Sequence, residues 1–291
     1  MHINTTTFSG IIIPLITPFY NNAVDIDSLK KLADYYVENR ADGFVIFGTT
    51  GESATLTQEE KKIILTFIIK NYGDKLPIIA GISSNNTKAA VHEAKTLQDA
   101  GADGLLVLSP PYLKPSQAGI FEHYRHIAES ISIPMIIYNI PHRTGVNIEF
   151  ETIKKLAALP NIIGIKESAG DAMQLTNLIL NTPLRVFTGE DQLLFLTCAL
   201  GGHGAISAAA HIALPEMKSL LQDIEAGYLS HARKTFKKLL PRIQLCFSEP
   251  NPAPVKAILA HQGLIRSDEV RLPLIKASES LIKNYTNYNC S

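Results

Sequence analysis

The stretch Ile162-Ile163-Gly164-Ile165-Lys166-Glu167 is a short apolar run that ends abruptly in a lysine and a glutamate. Such a run, bounded by polar residues, reads as a strand buried on both faces. A lysine at its end either snorkels to water or is desolvated. A desolvated amine favours its neutral form, and a neutral amine is the nucleophile that makes Schiff bases with carbonyl compounds. The other lysines sit mostly in polar or helix-patterned surroundings, such as Lys30-Lys31, Lys61-Lys62 and Lys237-Lys238. The sequence on either side decides between the two roles.

Short apolar runs recur along the chain at Ile11–Ile13, Phe44–Phe47, Ile78–Ala80, Leu105–Leu108, Met135–Tyr138, Ile162–Ile165, Arg185–Phe187 and Ala205–Ser207. Between them lie helix-patterned stretches: Asp27–Asn39, Asn86–Ala100, Ser116–Ser130, Glu149–Leu159, Gln174–Leu180 and Asp191–Leu200. Thr57-Gln58-Glu59-Glu60 reads as a helix cap followed by an acidic first turn. Strands alternating with helices predict an α/β fold, a (β/α)8 TIM barrel. The competing architecture is an open doubly wound sheet. That would usually carry a G-x-G-x-x-G turn after its first strand, and none is present. Beyond about Pro215 the strand signals stop. Glu216–Gly227, Leu229–Leu240, Val255–Gly263 and Leu274–Tyr285 read as helices, with Glu249–Pro254 as an extended connector. The expected division is a barrel over 1–224, carrying the active site, and a C-terminal all-helical extension over 225–291.

At 291 residues the chain is long enough for one such barrel. Charged residues make up 19% and balance to zero, which argues against a nucleic-acid footprint or a membrane-surface patch. The three cysteines, Cys198, Cys246 and Cys290, are far apart and odd in number. They suit neither a disulfide framework nor a zinc knuckle, and a reducing cytoplasm is the expected compartment. Met1–Gly10 lacks a basic segment, and Ile11–Ile16 is short and interrupted by Pro14, so neither a signal peptide nor a membrane span is expected.

In a barrel of this kind the chemistry sits at the C-terminal ends of the strands. Those ends carry Gly48-Thr49-Thr50-Gly51-Glu52, Pro110-Pro111-Tyr112, Tyr138-Asn139-Ile140-Pro141-His142-Arg143-Thr144-Gly145, and Lys166. Hydroxyls, a guanidinium and an amine are thereby expected at one mouth. Lys166 would attack a ketone and form an imine, an electron sink that permits deprotonation at the adjacent carbon. Tyr138 is placed as a general acid/base. Thr49 and Thr50 could pass protons or bind a substrate carboxylate, and Arg143 offers a bidentate fork to one. Singly, each has a bland role: a packed aromatic, turn residues, a solvated cation. Their joint placement favours chemistry.

The sequence resembles the dihydrodipicolinate synthases, within the superfamily of pyruvate-dependent class I aldolases that includes N-acetylneuraminate lyase. The similarity runs from Gly10 to Leu274. It rests on Gly48-Thr-Thr-Gly-Glu-Ser-Ala-Thr-Leu56, Tyr138-Asn-Ile-Pro141, Gly164-Ile-Lys-Glu167, Leu200-Gly-Gly-His-Gly-Ala-Ile-Ser207 and Glu249-Pro-Asn-Pro-Ala-Pro-Val-Lys256. The first and third motifs mark the superfamily. Arg143-Thr144-Gly145 and the Glu-Pro-Asn-Pro connector favour the synthases over their relatives.

The resemblance implies a lyase that condenses pyruvate with L-aspartate semialdehyde to 4-hydroxy-tetrahydrodipicolinate, on the route to diaminopimelate and lysine. It implies no metal and no organic cofactor. It makes Lys166 the Schiff-base residue, with Tyr138, Thr49 and Tyr112 as a proton relay. Thr50 would hold the pyruvate carboxylate, and Arg143 the carboxylate of the semialdehyde. Gly189 and Ile206 would supply backbone contacts near the bound intermediate. Tyr112 would cross a tight dimer interface, and the implied assembly is a dimer of such dimers. A sugar-acid lyase of the same superfamily and a catalytically silent metabolite-binding barrel are the competing readings. In lysine-inhibited members a histidine stands where this chain has Lys61, a glutamate where it has Ala89, and a tyrosine where it has Pro111. Ser53, Ala54 and Asn85 remain compatible with the ligand. A cationic Lys61 would repel the ammonium of L-lysine, so weak or absent feedback is expected.

Three further signals lead elsewhere. His123 and His126 are an i, i+3 pair without a third ligand, which reads as a solvated helix face. His203 reads as a packed structural histidine. Asp191, in Gly189-Glu190-Asp191, reads as a helix N-cap.

Overall fold

In the computed structural model, which describes residues 8–289, eight parallel strands close into a barrel. They are β1 (Gly10–Pro14), β2 (Gly43–Ile46), β3 (Ile78–Ile82), β4 (Gly104–Leu108), β5 (Met135–Asn139), β6 (Ile162–Glu167), β7 (Arg185–Thr188) and β8 (Gly204–Ile206). Each strand pairs with the next, and β8 returns to β1 through Ile12 opposite Ile206. Every strand predicted from the sequence is present. Eight helices follow them in turn: α1 (Ile26–Glu38), α2 (Gln58–Tyr72), α3 (Thr87–Asp99), α4 (Gln117–Ala128), α5 (Phe150–Leu156), α6 (Ala172–Asn181), α7 (Leu194–Ala199) and α8 (Ala210–Glu225). Then come α9 (Leu229–Cys246), α10 (Ala253–His261) and α11 (Glu279–Asn289). No helix among the described residues is long and apolar enough to cross a membrane.

Five of the eight barrel-helix starts are written in side chains. Asp25, Asn86, Ser116 and Asp171 each accept an amide of the first turn, and Thr57 with Glu60 closes a reciprocal capping box. Such caps stabilise by about 1 kcal/mol each.

Strand alternation creates two cores. The inner one fills the barrel with Ile12, Val45, Ile79, Leu106, Ile136, Phe187 and Ile206, closed below by Phe8 and above by Tyr138 and Ile140. The outer one lies between strands and helices and contains Ile13, Phe44, Ile78, Leu105, Ile137 and the apolar faces of the helices. Strand β6 breaks the alternation. Ile162 and Ile165, three apart, both face outward, while Ile163 packs against the inner core. The pairing explains it: Met135 lies opposite Ile162 but Ile136 lies opposite Gly164, which leaves Ile163 as a bulge. One extra residue reverses every later side chain on the strand. The bulge is therefore what turns Lys166 into the barrel, opposite Tyr138.

The C-terminal part departs from expectation in four places. Helix α8 bends at Ala213 (φ −146°, ψ 27°), so Pro215 falls in the first turn of its second segment, where a proline is tolerated, and only the helical turn before Ala213 was not expected. Helix α9 continues past Pro241 to Cys246. An interior proline costs about 3 kcal/mol. Here the two helices pack along each other through buried Leu220, Leu239 and Ile243, which offsets that cost. Glu249–Pro254 is a tight turn rather than an extended connector, since α10 begins at Ala253. The last helix starts at Glu279 rather than Leu274, and the chain before it is an irregular strap.

That strap and α10 tie the extension to the loop after β2. Lys256, fully buried, donates to the Glu52 carboxylate and to the Glu269 carbonyl (2.8 Å), with its ammonium 4.1 Å from the centre of the Phe19 ring. Arg271 grips both oxygens of Glu60 (2.8 and 2.5 Å), and its amide donates to Glu52 (3.0 Å). The amide of Asn251 donates to the Thr50 hydroxyl (2.9 Å).

Candidate active site

The loop after β2 is a tight double turn: Gly51 N–H donates to the Gly48 carbonyl (3.1 Å) and Glu52 N–H to that of Thr49 (3.1 Å). As at a helix start, the opening amides of such a turn have no partner within it and suit an anion. Phe47 and Glu52 both take left-handed backbone (φ 59° and 53°). Gly51 is required by close approach, because a Cβ there would lie 2.9 Å from the Leu15 carbonyl. The buried Lys256–Glu52 pair and Asn251 hold this loop from behind.

Lys166 is 7% exposed, and its side chain makes neither an ion pair nor a hydrogen bond among the described residues. Its ammonium nitrogen lies 4.2 Å from the centre of the Tyr138 ring. Beneath it Glu167 is saturated, accepting from Asn139 (3.1 Å), Gln174 (3.1 Å) and the Ala169 amide (2.8 Å). Burial pushes the Glu167 carboxyl up, and those donors oppose the shift.

A cleft of about 250 Å³ opens over Lys166. Its walls include Thr49, Thr50, Tyr138, Arg143, Gly189 and Ile206, so seven of the eight residues singled out in the sequence meet there. Arg143 stands on the one-turn helix Pro141–Thr144, exposed at the rim. Of the two backbone groups of Gly189, only one is left for a ligand. Its amide is spent on the Glu167 carbonyl (2.8 Å), which leaves its own carbonyl and its missing side chain. A Cβ at Gly189 would come within 2.3 Å of Lys166 Cε and 2.0 Å of Ser168 Oγ.

Tyr112 is the eighth, and it does not join them. It is 86% exposed, in left-handed backbone (φ 71°), with its amide donating to the Thr144 carbonyl (3.1 Å). Four polar lining residues went unread as site residues: His142, Ser168, Glu190 and Asn251. Position alone could have found Ser168 and Glu190, which lie one and two residues beyond the ends of β6 and β7. Asn251 sits in a distant loop and carried no such signal.

Two other readings need correction. Asp191 caps no helix; it is fully buried and accepts the Ala209 amide (2.8 Å), and burial pushes its carboxyl up to about 6. His123 is buried rather than solvated, with Nδ1 2.9 Å from the Thr87 hydroxyl, because α4 turns that face onto α3. His126 is exposed as expected. His203 is packed: Nδ1 accepts the Val186 amide (3.3 Å) and its ring stands beside Phe187.

The sequence matches the model of the dihydrodipicolinate synthetase family over residues 7–287. It is 42% identical to the 4-hydroxy-tetrahydrodipicolinate synthase of Syntrophus aciditrophicus over 94% of both chains. With the enzyme of that name from Bacillus subtilis it shares 40% identity, over 94% of this chain and 95% of the relative. A solved structure of chloride-inhibited dihydrodipicolinate synthase from Acinetobacter baumannii, complexed with pyruvate, superposes with a TM-score of 0.92. That protein is 37% identical, with 96% of this chain and 97% of the other covered. The chain belongs to the dihydrodipicolinate synthetase family.

Proposed function

We propose that this chain condenses pyruvate with L-aspartate semialdehyde to 4-hydroxy-tetrahydrodipicolinate, through a Schiff base at Lys166. The observation that carries the reading is a buried lysine with no ionic partner at the floor of a cleft, against Tyr138 and below Thr49, Thr50 and Arg143. An amine that is not tied into an ion pair is free to attack.

In this account Lys166 adds to C2 of pyruvate, and loss of water gives the imine. The Thr49–Thr50 turn receives the pyruvate carboxylate. Loss of a proton from C3 gives the enamine, with the imine as electron sink. The enamine carbon then attacks the aldehyde of the second substrate, and the new alkoxide takes a proton. Tyr138, against the reacting nitrogen, and Thr49 are the proposed carriers of these protons. Arg143 at the rim takes the carboxylate of the semialdehyde as a bidentate partner. The amine of the second substrate finally displaces Lys166 and closes the ring. Ile206 and Gly189 bound the space for the intermediate.

Tyr112 serves, in this proposal, the cleft of a second protomer, which makes a tight homodimer the catalytic unit and a dimer of dimers the full assembly. Its exposure and its tethered backbone support that role. We place the division between barrel and helical extension at residue 224, and the protein in the cytoplasm. Purified protein should consume pyruvate when L-aspartate semialdehyde is added and not when N-acetylmannosamine is added. Consumption with the sugar alone would keep the Lys166 chemistry and overturn the substrate.

A further inference from the structure

Among the described residues that line the cleft, Glu190 is the one acidic side chain. Its backbone is fixed by Thr188, whose hydroxyl donates to the Glu190 carbonyl (2.8 Å) and accepts its amide (3.1 Å). Its carboxylate, by contrast, makes no hydrogen bond to any described residue. The neighbouring acids differ from it: Glu167 is saturated by three donors, and Asp191, fully buried with Oδ2 on the Ala209 amide and Oδ1 unpartnered among the described residues, is not among those lining the cleft. The charged and titratable groups facing Glu190 are Lys166 and His142, which stabilise its anion, and Asp191, which opposes it, with Arg143 on the same cleft. Partial burial pushes the Glu190 carboxyl up.

The Glu190 carboxylate thus stands in the field of Lys166 and His142 but has no donor from the described residues bonded to it, and it can still take one. The two proposed substrates offer one cation between them, the α-ammonium of L-aspartate semialdehyde. We infer that Glu190 binds this ammonium and accepts the proton it must lose before ring closure. This rests on the condensation proposed above. The step balances within the cleft: the N–H bond breaks and its proton goes to the Glu190 carboxylate. The freed lone pair forms the new bond to C2, and the C2–Nζ bond to Lys166 breaks. The departing amine takes a proton back.

Succinic semialdehyde keeps the aldehyde and the carboxylate but has no amine, so it separates the two roles. Glu190→Gln should lower kcat/KM for L-aspartate semialdehyde by about 10²-fold, within the range of a lost general base. The pyruvate adduct with succinic semialdehyde, trapped by borohydride and weighed, should form at a rate within about threefold of wild type. That ceiling sits well below the tenfold that 1.4 kcal/mol produces. Turnover of Glu190→Gln should climb with pH as solvent deprotonates the amine, while wild type stays flat near neutrality. Glu190→Asp should recover most of the loss. Equal turnover by Glu190→Gln and wild type overturns the inference, and so does an equal loss with both aldehydes, which marks a structural role. If wild type forms the pyruvate adduct but ignores L-aspartate semialdehyde, the condensation reading itself fails.

Discussion

Gly189→Ala should disable the enzyme by displacing its nucleophile. The added methyl would lie 2.3 Å from Lys166 Cε, 3.0 Å from its Cγ and 2.0 Å from Ser168 Oγ. Carbon atoms at rest stand about 3.5–4.0 Å apart, so the lysine must retreat by more than about 1 Å. A misplacement of that size costs on the order of 10²-fold in rate. The backbone at Gly189 lies outside the left-handed region, so alanine meets no conformational barrier of its own. Overpacking should lower stability by about 1–3 kcal/mol, which the fold can absorb. The assay is steady-state turnover beside borohydride trapping with pyruvate alone, on protein shown to be folded by denaturant unfolding. We expect kcat and the trapping rate to fall together by about 10²-fold. Removing the Ser168 hydroxyl as well should not restore them, since the lysine clash remains. If Gly189→Ala traps pyruvate at the wild-type rate, the packing described around Lys166 is wrong.

Three further outcomes are expected. Lys256→Met leaves Glu52 charged and buried; loss of one partner of such a pair costs about 3–5 kcal/mol, and adding Glu52→Gln should recover part of it in denaturant unfolding. His211 accepts the Ile16 amide at Nε2 (3.2 Å), which leaves Nδ1 to donate to the Ala208 carbonyl (2.9 Å), and burial lowers it from 6.5 to about 4. The folded state therefore binds fewer protons than the unfolded chain between those values. Stability is full above about 6.5 and should fall by about 2 kcal/mol by pH 5, a slope that His211→Gln reduces by about one proton. L-Lysine should inhibit weakly or not at all. Lys61 reaches Glu93 (3.5 Å), so that carboxylate is engaged within the chain, and half-maximal inhibition at sub-millimolar L-lysine would contradict the expectation.

The barrel was legible because each buried strand is a compact apolar run and five of its eight helices announce themselves with a side-chain cap such as Thr57–Glu60. Lys166, Tyr138 and Thr49 were legible for a related reason: strand ends in this architecture face one mouth. The orientation of Lys166 was not. Strict alternation from Ile162 would have turned it outward, and only the bulge at Ile163 reverses it. Register slips of one residue leave little trace in a sequence beyond a glycine such as Gly164. The proline reading failed at Pro241, where tertiary packing outweighed a local preference, whereas near Pro215 a second helical segment does begin, after the kink at Ala213. Asp191 and His123 were misread for one reason. Burial is a property of the assembled layers, and a polar residue beside a cap position or on a helix gives no local sign of it. Asn251 reaches Thr50 across 201 positions of chain, a contact that no local pattern encodes.

The central claim is that Lys166 carries pyruvate as an imine. Incubation with pyruvate and borohydride, digestion and mass mapping test it most directly. The account predicts a single reduced-pyruvate adduct on the peptide containing Lys166, lost in Lys166→Ala together with turnover. An adduct on another lysine, or none while pyruvate is still consumed with L-aspartate semialdehyde, would contradict it.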